Sequence, residues 1–212
     1  MKSKYVLIGL MSLSIILCGC ISTKVYTKVN KDGVIERYRV EMTINSLFYT
    51  GLKEYAKNQG YSSVKDYMIA NFSKMLKGEI SYDEKWDKDQ VTIIVEAKNA
   101  VPQPNSRIEI SKEGKYLIFR DLSFKSNESS NMSKAFLGAL RLDYYLEMPG
   151  KIIDSNANVV KENKAEWHLT GTDALNAEIY AKSEIPSIPG MELTIGILGL
   201  SIGSLAFRKR LS

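Results

Sequence analysis

Uncharged, mostly apolar runs lie near both ends of the chain, over 5–17 and 193–207. Between them the spacing of apolar positions changes from two residues to about 3.6 and back. Residues 24–44 alternate and are rich in β-branched and aromatic side chains, with Asn30-Lys31-Asp32-Gly33 as a turn signal. That pattern predicts a β-hairpin. Two helices are predicted next. Asn45 or Ser46 can cap the first, Phe48, Leu52, Tyr55 and Ala56 share its face, and Gly60 can end it. Ser62 or Ser63 can cap the second, whose stripe is Val64, Tyr67, Met68, Phe72, Met75 and Leu76, with Gly78 after the last turn. Strand patterns follow at 80–86, 91–97, 107–111 and 115–124. After a Ser/Asn-rich stretch at 123–133, read as an exposed loop, they resume at 137–148, near 159–160, at 165–169 and at 175–181. The expected class is α+β: a mainly antiparallel curved sheet of about eight strands with two adjacent helices, plus a C-terminal membrane helix. No repeat or long linker divides the body, which is read as one unit over 20–185.

The two ends read as membrane signals. Lys2 and Lys4 precede the run 5–17, and small residues follow it, the order of a secretory signal over 1–19. As a helix that run spans about 20 Å, short of a hydrocarbon core of about 30 Å. At the other end, 186–212 holds the run 193–207 followed by Arg208-Lys209-Arg210. Basic flanks mark the cytoplasmic side. Both ends therefore put the intervening body on the extracytoplasmic side of the cell membrane.

Three resemblances add to this. Leu17-Cys18-Gly19-Cys20 resembles the lipobox of prokaryotic lipoproteins, which implies that Cys20 carries the lipid and that Cys18 is discarded. The tail, with Pro189-Gly190-Met191 before the apolar run, resembles the PGF-CTERM sorting signal of archaeal surface proteins, with Met191 where that family has Phe. A retained anchor is the alternative for the same segment. The stretch Leu146-Glu147-Met148-Pro149-Gly150-Lys151-Ile152-Ile153-Asp154-Ser155-Asn156-Ala157, then Ala165-Glu166-Trp167-His168-Leu169 and 175–183, resembles the extracytoplasmic domain of the LppM family of lipoproteins. That resemblance covers about 140–184. It implies an α+β ectodomain that holds a lipid or glycolipid ligand, and it brings no catalytic residue.

Charge and composition narrow the chemistry. The net charge of +5 comes largely from the two ends, so the body is close to neutral. A neutral body argues against nucleic acid as a partner. Both cysteines, Cys18 and Cys20, lie beside the N-terminal run, and His168 is the one histidine. A disulfide framework and a Cys/His zinc site are thereby excluded from the body. No phosphate-binding glycine loop or nucleophile elbow is present, so no enzyme activity, metal or cofactor is expected. Asp83, Glu84, Asp87 and Asp89 are interleaved with Lys85 and Lys88 and read as a solvated hairpin tip. His168 reads as a structural side chain beside a core Trp167. Asn127 and Asn131 open Asn-x-Ser sequons in the expected loop and are candidate glycosylation sites, whereas the sequon at Asn71 falls mid-helix.

The candidate pocket is apolar. Met68, Phe72 and Met75 of the second helix, with Tyr145 of a late strand, are expected to line a site between that helix and the sheet, methionine being the side chain that adapts to irregular apolar shapes. The expected function is a membrane-anchored surface lipoprotein that binds a lipid-like or other apolar ligand without catalysis. The alternative is an envelope structural or protein-interaction module with a filled core.

Overall fold

A computed structural model of the chain describes residues 21–125 and 140–186. The signal segment with Cys20, the sequons at Asn127 and Asn131, and the C-terminal run 193–207 lie outside the described residues. Among the described residues, no helix is long and apolar enough to cross a membrane.

The alternating stretch forms β1 (Ile21–Val29) and β2 (Ile35–Asn45), paired antiparallel. Two helices follow, α1 (Ser46–Asn58) and α2 (Val64–Met75). Their starts are set by side-chain caps: Asn45 accepts from the Phe48 N–H at 2.9 Å, and Ser63 accepts from the Asp66 N–H at 3.1 Å. Gly60, at φ +86°, takes the left-handed turn after α1. Gly78 does not end α2. The helix stops at Met75, and Leu76, fully buried, already belongs to β3 (Leu76–Asp87). A Cβ on Gly78 would lie 2.7 Å from the Lys98 carbonyl oxygen, so glycine here permits close strand approach at a bulge.

The hairpin of β3 and β4 (Gln90–Pro102) is followed by β5 (Ile108–Glu113), β6 (Tyr116–Asp121), β7 (Leu140–Glu147), β8 (Ile152–Ser155), β9 (Val159–Lys161) and β10 (Lys164–Thr170). A one-turn helix α3 (Gly171–Leu175) and β11 (Ile179–Glu184) complete the described chain. The class is α+β, but the strands form two sheets where one curved sheet was expected. Sheet one has seven strands in the order β3-β4-β2-β1-β7-β10-β9, and sheet two has four, β5-β6-β11-β8. The β1–β7 pair is parallel. The segment expected as a strand from 175 instead closes α3, and after an isolated bridge of Asn176 to Lys125 the strand itself starts at Ile179.

Sheet two and the two longer helices cover the same face of sheet one. Period-two alternation puts Val25 and Thr27 of β1, Tyr38 of β2, Tyr144 of β7 and Trp167 of β10 on that inner face. Tyr38 meets Phe72 of α2 with ring centroids 6.0 Å apart, and the buried Leu117, Phe119 and Ile179 of sheet two join the same core. The outer face carries paired charges, including Arg37 and Arg39 on Glu96 and Lys28 between Glu36 and Glu147.

Candidate functional site: a cavity beside the buried Asp121

Where β6 ends, the core becomes polar. Asp121 is fully buried between the sheets, and its Oδ2 accepts from the hydroxyls of Tyr38 at 2.9 Å and Tyr144 at 3.0 Å. Its Oδ1 accepts from the Ser123 N–H at 2.8 Å. Thr27 Oγ1 lies 2.9 Å from the Tyr144 hydroxyl and, with that proton turned to Asp121, donates to it. No cation is paired with Asp121 among the described residues. Burial pushes its carboxyl above the usual carboxylate range, against the pull of the hydrogen bonds from Ser123, Tyr38 and Tyr144. Burial, joined by the Asp121 charge, likewise raises both tyrosine hydroxyls. The cluster clamps sheet two onto sheet one and fixes the direction in which the chain leaves β6.

Beyond the clamp lies a cavity of about 320 Å³. Its walls are Thr23 of β1, Leu140 and Leu142 of β7, Phe124 after β6, and Ala174 and Leu175 of α3. Phe124 is set by an edge-on contact with Tyr144, ring centroids 6.3 Å apart. The rim is cationic: Arg107, Lys125 and Arg141. Arg141 is held by Asp143 at 2.9 Å, and Lys125 by Glu178 at 3.3 Å. Arg107 differs. Its guanidinium donates to the Lys125 carbonyl at 2.7 Å, and no carboxylate pairs with it among the described residues. An apolar cavity with a cationic rim can take an apolar chain attached to an anionic group.

The four residues expected to line one pocket are split. Phe72 is buried against Tyr38, and Met68 and Met75 pack half-buried on the same core. Met75 reaches towards the cavity, with its sulfur 3.7 Å from the Ser123 hydroxyl. Tyr145 is on the opposite face. It stacks on Tyr26 at 5.1 Å and lines an outer groove with Lys28, Arg37 and Lys164. The reason is the period of a strand: of adjacent Tyr144 and Tyr145 only one can face inward. The sequence reading missed Asp121, Arg107 and the cavity wall from β1, β7 and α3.

His168 sits on that outer face. Its Nδ1 is 2.7 Å from Asp143 Oδ1, and its Nε2 is 3.5 Å from Glu166. Burial alone would raise the Asp143 carboxyl, but hydrogen bonds and charge from Arg141 and His168 outweigh it and hold Asp143 below its ordinary value. A depressed carboxyl contributes stability that is complete above its unfolded value and is lost as pH falls through the folded one. Asp143→Asn is therefore expected to lower stability near neutral pH and to flatten the acid limb, as read by denaturant midpoints at a series of pH values. An unchanged acid limb would remove the Asp143 ion pairs from the account. Among the described residues, no three His, Cys, Asp or Glu side chains are grouped to hold a metal.

No known protein-family profile matches the chain. A protein of Archaeoglobus fulgidus described as an uncharacterized protein is 46% identical over 211 residues, covering 98% of this chain and 96% of its own. The chain belongs to that protein's family. Among solved structures, the NMR structure of the folded domain of Mycobacterium tuberculosis LppM aligns over 80% of this chain and 92% of that one, with a TM-score of 0.45 and 7% identity. The alignment with the Archaeoglobus fulgidus protein spans the N-terminal run, the two-sheet domain and the C-terminal run together.

Proposed function

We propose that the protein is a membrane-anchored extracytoplasmic lipoprotein whose domain binds an anionic amphiphile, without catalysis, in the cavity walled by β1, β7 and α3. The observation that carries this reading is the pairing of an apolar wall with Arg107, a cation at the rim that no described carboxylate neutralises. The lipobox-like Leu17-Cys18-Gly19-Cys20 supports the anchor, with Cys20 as the lipidated residue, and the run 193–207 acts as a second anchor or a sorting signal. In this reading Met75 flanks the cavity, while Met68 and Phe72 support it from α2.

The test is native mass spectrometry of the full chain purified from its own membranes, beside Arg107→Gln and Leu175→Trp. A co-purifying anionic lipid is expected. Arg107→Gln removes charge-assisted hydrogen bonds of about 1.5–3 kcal/mol, so retention should fall roughly tenfold to a hundredfold. Leu175→Trp fills the wall and should exclude the same lipid. A lipid-free protein, or equal occupancy in all three forms, overturns the reading in favour of an envelope module with a filled core.

A further inference from the structure

The domain has two distinguishable poles. At one, Ile21 opens β1 directly after Cys20, and the sheet register shows what lies level with it. Ile21 pairs with Leu140. Continuing the β1–β2 register by one residue places Ile44 opposite Ile21, and Ile44 pairs with Val91, which pairs with Trp86. Trp86 therefore lies in the same row as Ile21, three strands across, about 14 Å away at about 4.8 Å per strand. The start of α1 is tied to the same pole, because the Ser46 N–H donates to the Asp89 carbonyl at 2.7 Å.

This pole carries the most exposed large apolar side chains among the described residues. Leu47 is 71% exposed and Trp86 53%. Trp86 is also held in place. Tyr49 packs edge-on against it at 4.9 Å, and its indole N–H donates to Glu84 at 3.3 Å. The same carboxylate accepts from the hydroxyls of Tyr49 and Tyr82. An indole fixed half out of the protein, apolar ring outward and polar edge satisfied, has the amphipathic character that favours the membrane–water interface.

We infer that the pole formed by Ile21, Leu47 and Trp86 is a membrane-contacting surface, seated on the lipid bilayer that holds the chain ahead of Ile21. The inference rests on the anchor reading given above and adds an orientation to it. No linker separates Cys20 from β1, so an anchored Cys20 keeps this pole within a few residues' length of the surface. The cavity lies near the same pole, since it is lined by Thr23 and by Leu140, which pairs with Ile21. Asp87, Lys88 and Asp89 at the hairpin tip sum to −1, so the contact there rests on the apolar side chains and not on an excess of basic charge.

The two tryptophans make this measurable, because Trp167 is buried in the core. The full chain is reconstituted in phosphatidylcholine vesicles with either plain or chain-brominated lipid. Brominated lipid is expected to quench a Trp86 component that disappears in Trp86→Phe, and acrylamide quenching of that component should fall relative to the chain in detergent. Leu47→Asp should weaken the lipid quenching while leaving Trp167 emission unchanged, which reports that the fold is kept. Trp86 untouched by brominated lipid overturns the inference, whether it stays open to acrylamide or is shielded from it by a second copy of the chain. The mass of Cys20 is read on the same sample. An unlipidated Cys20 overturns the lipid-anchor reading alone, since any anchor preceding Ile21 brings the same pole to the bilayer.

Discussion

Asp121→Ala is expected to destabilise the domain by about 3–6 kcal/mol. The substitution leaves two buried tyrosine hydroxyls and the Ser123 N–H without their acceptor. Each such loss costs about 1–3 kcal/mol, against a total stability of about 5–15 kcal/mol for a domain. Asp121→Asn keeps an acceptor for the tyrosines but sets an amide N–H₂ against the Ser123 N–H, so a smaller cost is expected. Tyr38→Phe and Tyr144→Phe each remove one donor, and their double mutant should be non-additive because both act on the same oxygen. Denaturant unfolding of these variants is the measurement. A loss under about 1 kcal/mol for Asp121→Ala would show that the clamp contributes little.

The same carboxyl gives a pH signature opposite to that of Asp143. Burial raises Asp121, so between its unfolded and folded values the native state binds more protons than the unfolded chain. Stability from this group therefore falls as pH rises through that window. Asp121→Asn has no such slope. The advantage of the natural residue over Asn should be largest at the acid end of the window and shrink with rising pH.

Much of the local structure is legible in the sequence. The hairpin at 24–44, both longer helices and the pair at 80–97 follow from period and caps, with Asn45, Ser63 and Gly60 in the roles their chemistry suits. The division into two sheets is not. Inward-facing residues alternate in the same way whether a strand extends one sheet or stacks on another. The parallel pairing of β1 with β7 joins residues more than a hundred positions apart, and no local pattern encodes it. One signal was available and missed. Leu117, Phe119 and Asp121 alternate on β6 and all are buried, so the strand period itself points Asp121 inward.

The placement of the chain ends is likewise a tertiary result. Ile21 opens β1 at the pole of Trp86. Glu184 lies instead against Gly150, and Ser183 pairs with Leu117, which flanks Gly33 in the turn at the far end of β1. The two ends therefore leave the domain at opposite poles. β1 spans about 26 Å, and fully extended chain from 186 to 193 reaches about 25 Å. With the Trp86 pole on the bilayer, a second anchor at 193–207 in that bilayer needs this connection stretched nearly to its limit.

Trp167→Ala is expected to cost about 3–5 kcal/mol, the range for deleting a buried large aromatic side chain. Trp167 is one of the largest fully buried side chains, set edge-on to Tyr144 at 5.7 Å. It also joins the two sheets through one residue. Its indole N–H donates to Asn156 Oδ1 at 2.9 Å, and that oxygen accepts the Tyr180 N–H of β11 at 3.0 Å. Asn156 Nδ2 in turn donates to the Glu178 carbonyl at 2.7 Å. Trp167→Phe separates packing from bonding. Phe keeps much of the ring contact and removes one donor, while Asn156 Oδ1 still holds Tyr180, so a loss of about 1–2 kcal/mol is expected. Equal losses for Phe and Ala would assign the effect to the Asn156 bond, and a loss for Ala alone would assign it to packing. Since Tyr144 also belongs to the Asp121 clamp, Trp167→Ala combined with Asp121→Ala should fall short of the sum. Strict additivity would mean that the sheets are held by two independent contacts, and that the cavity wall at Leu142 and Phe124 does not depend on Trp167.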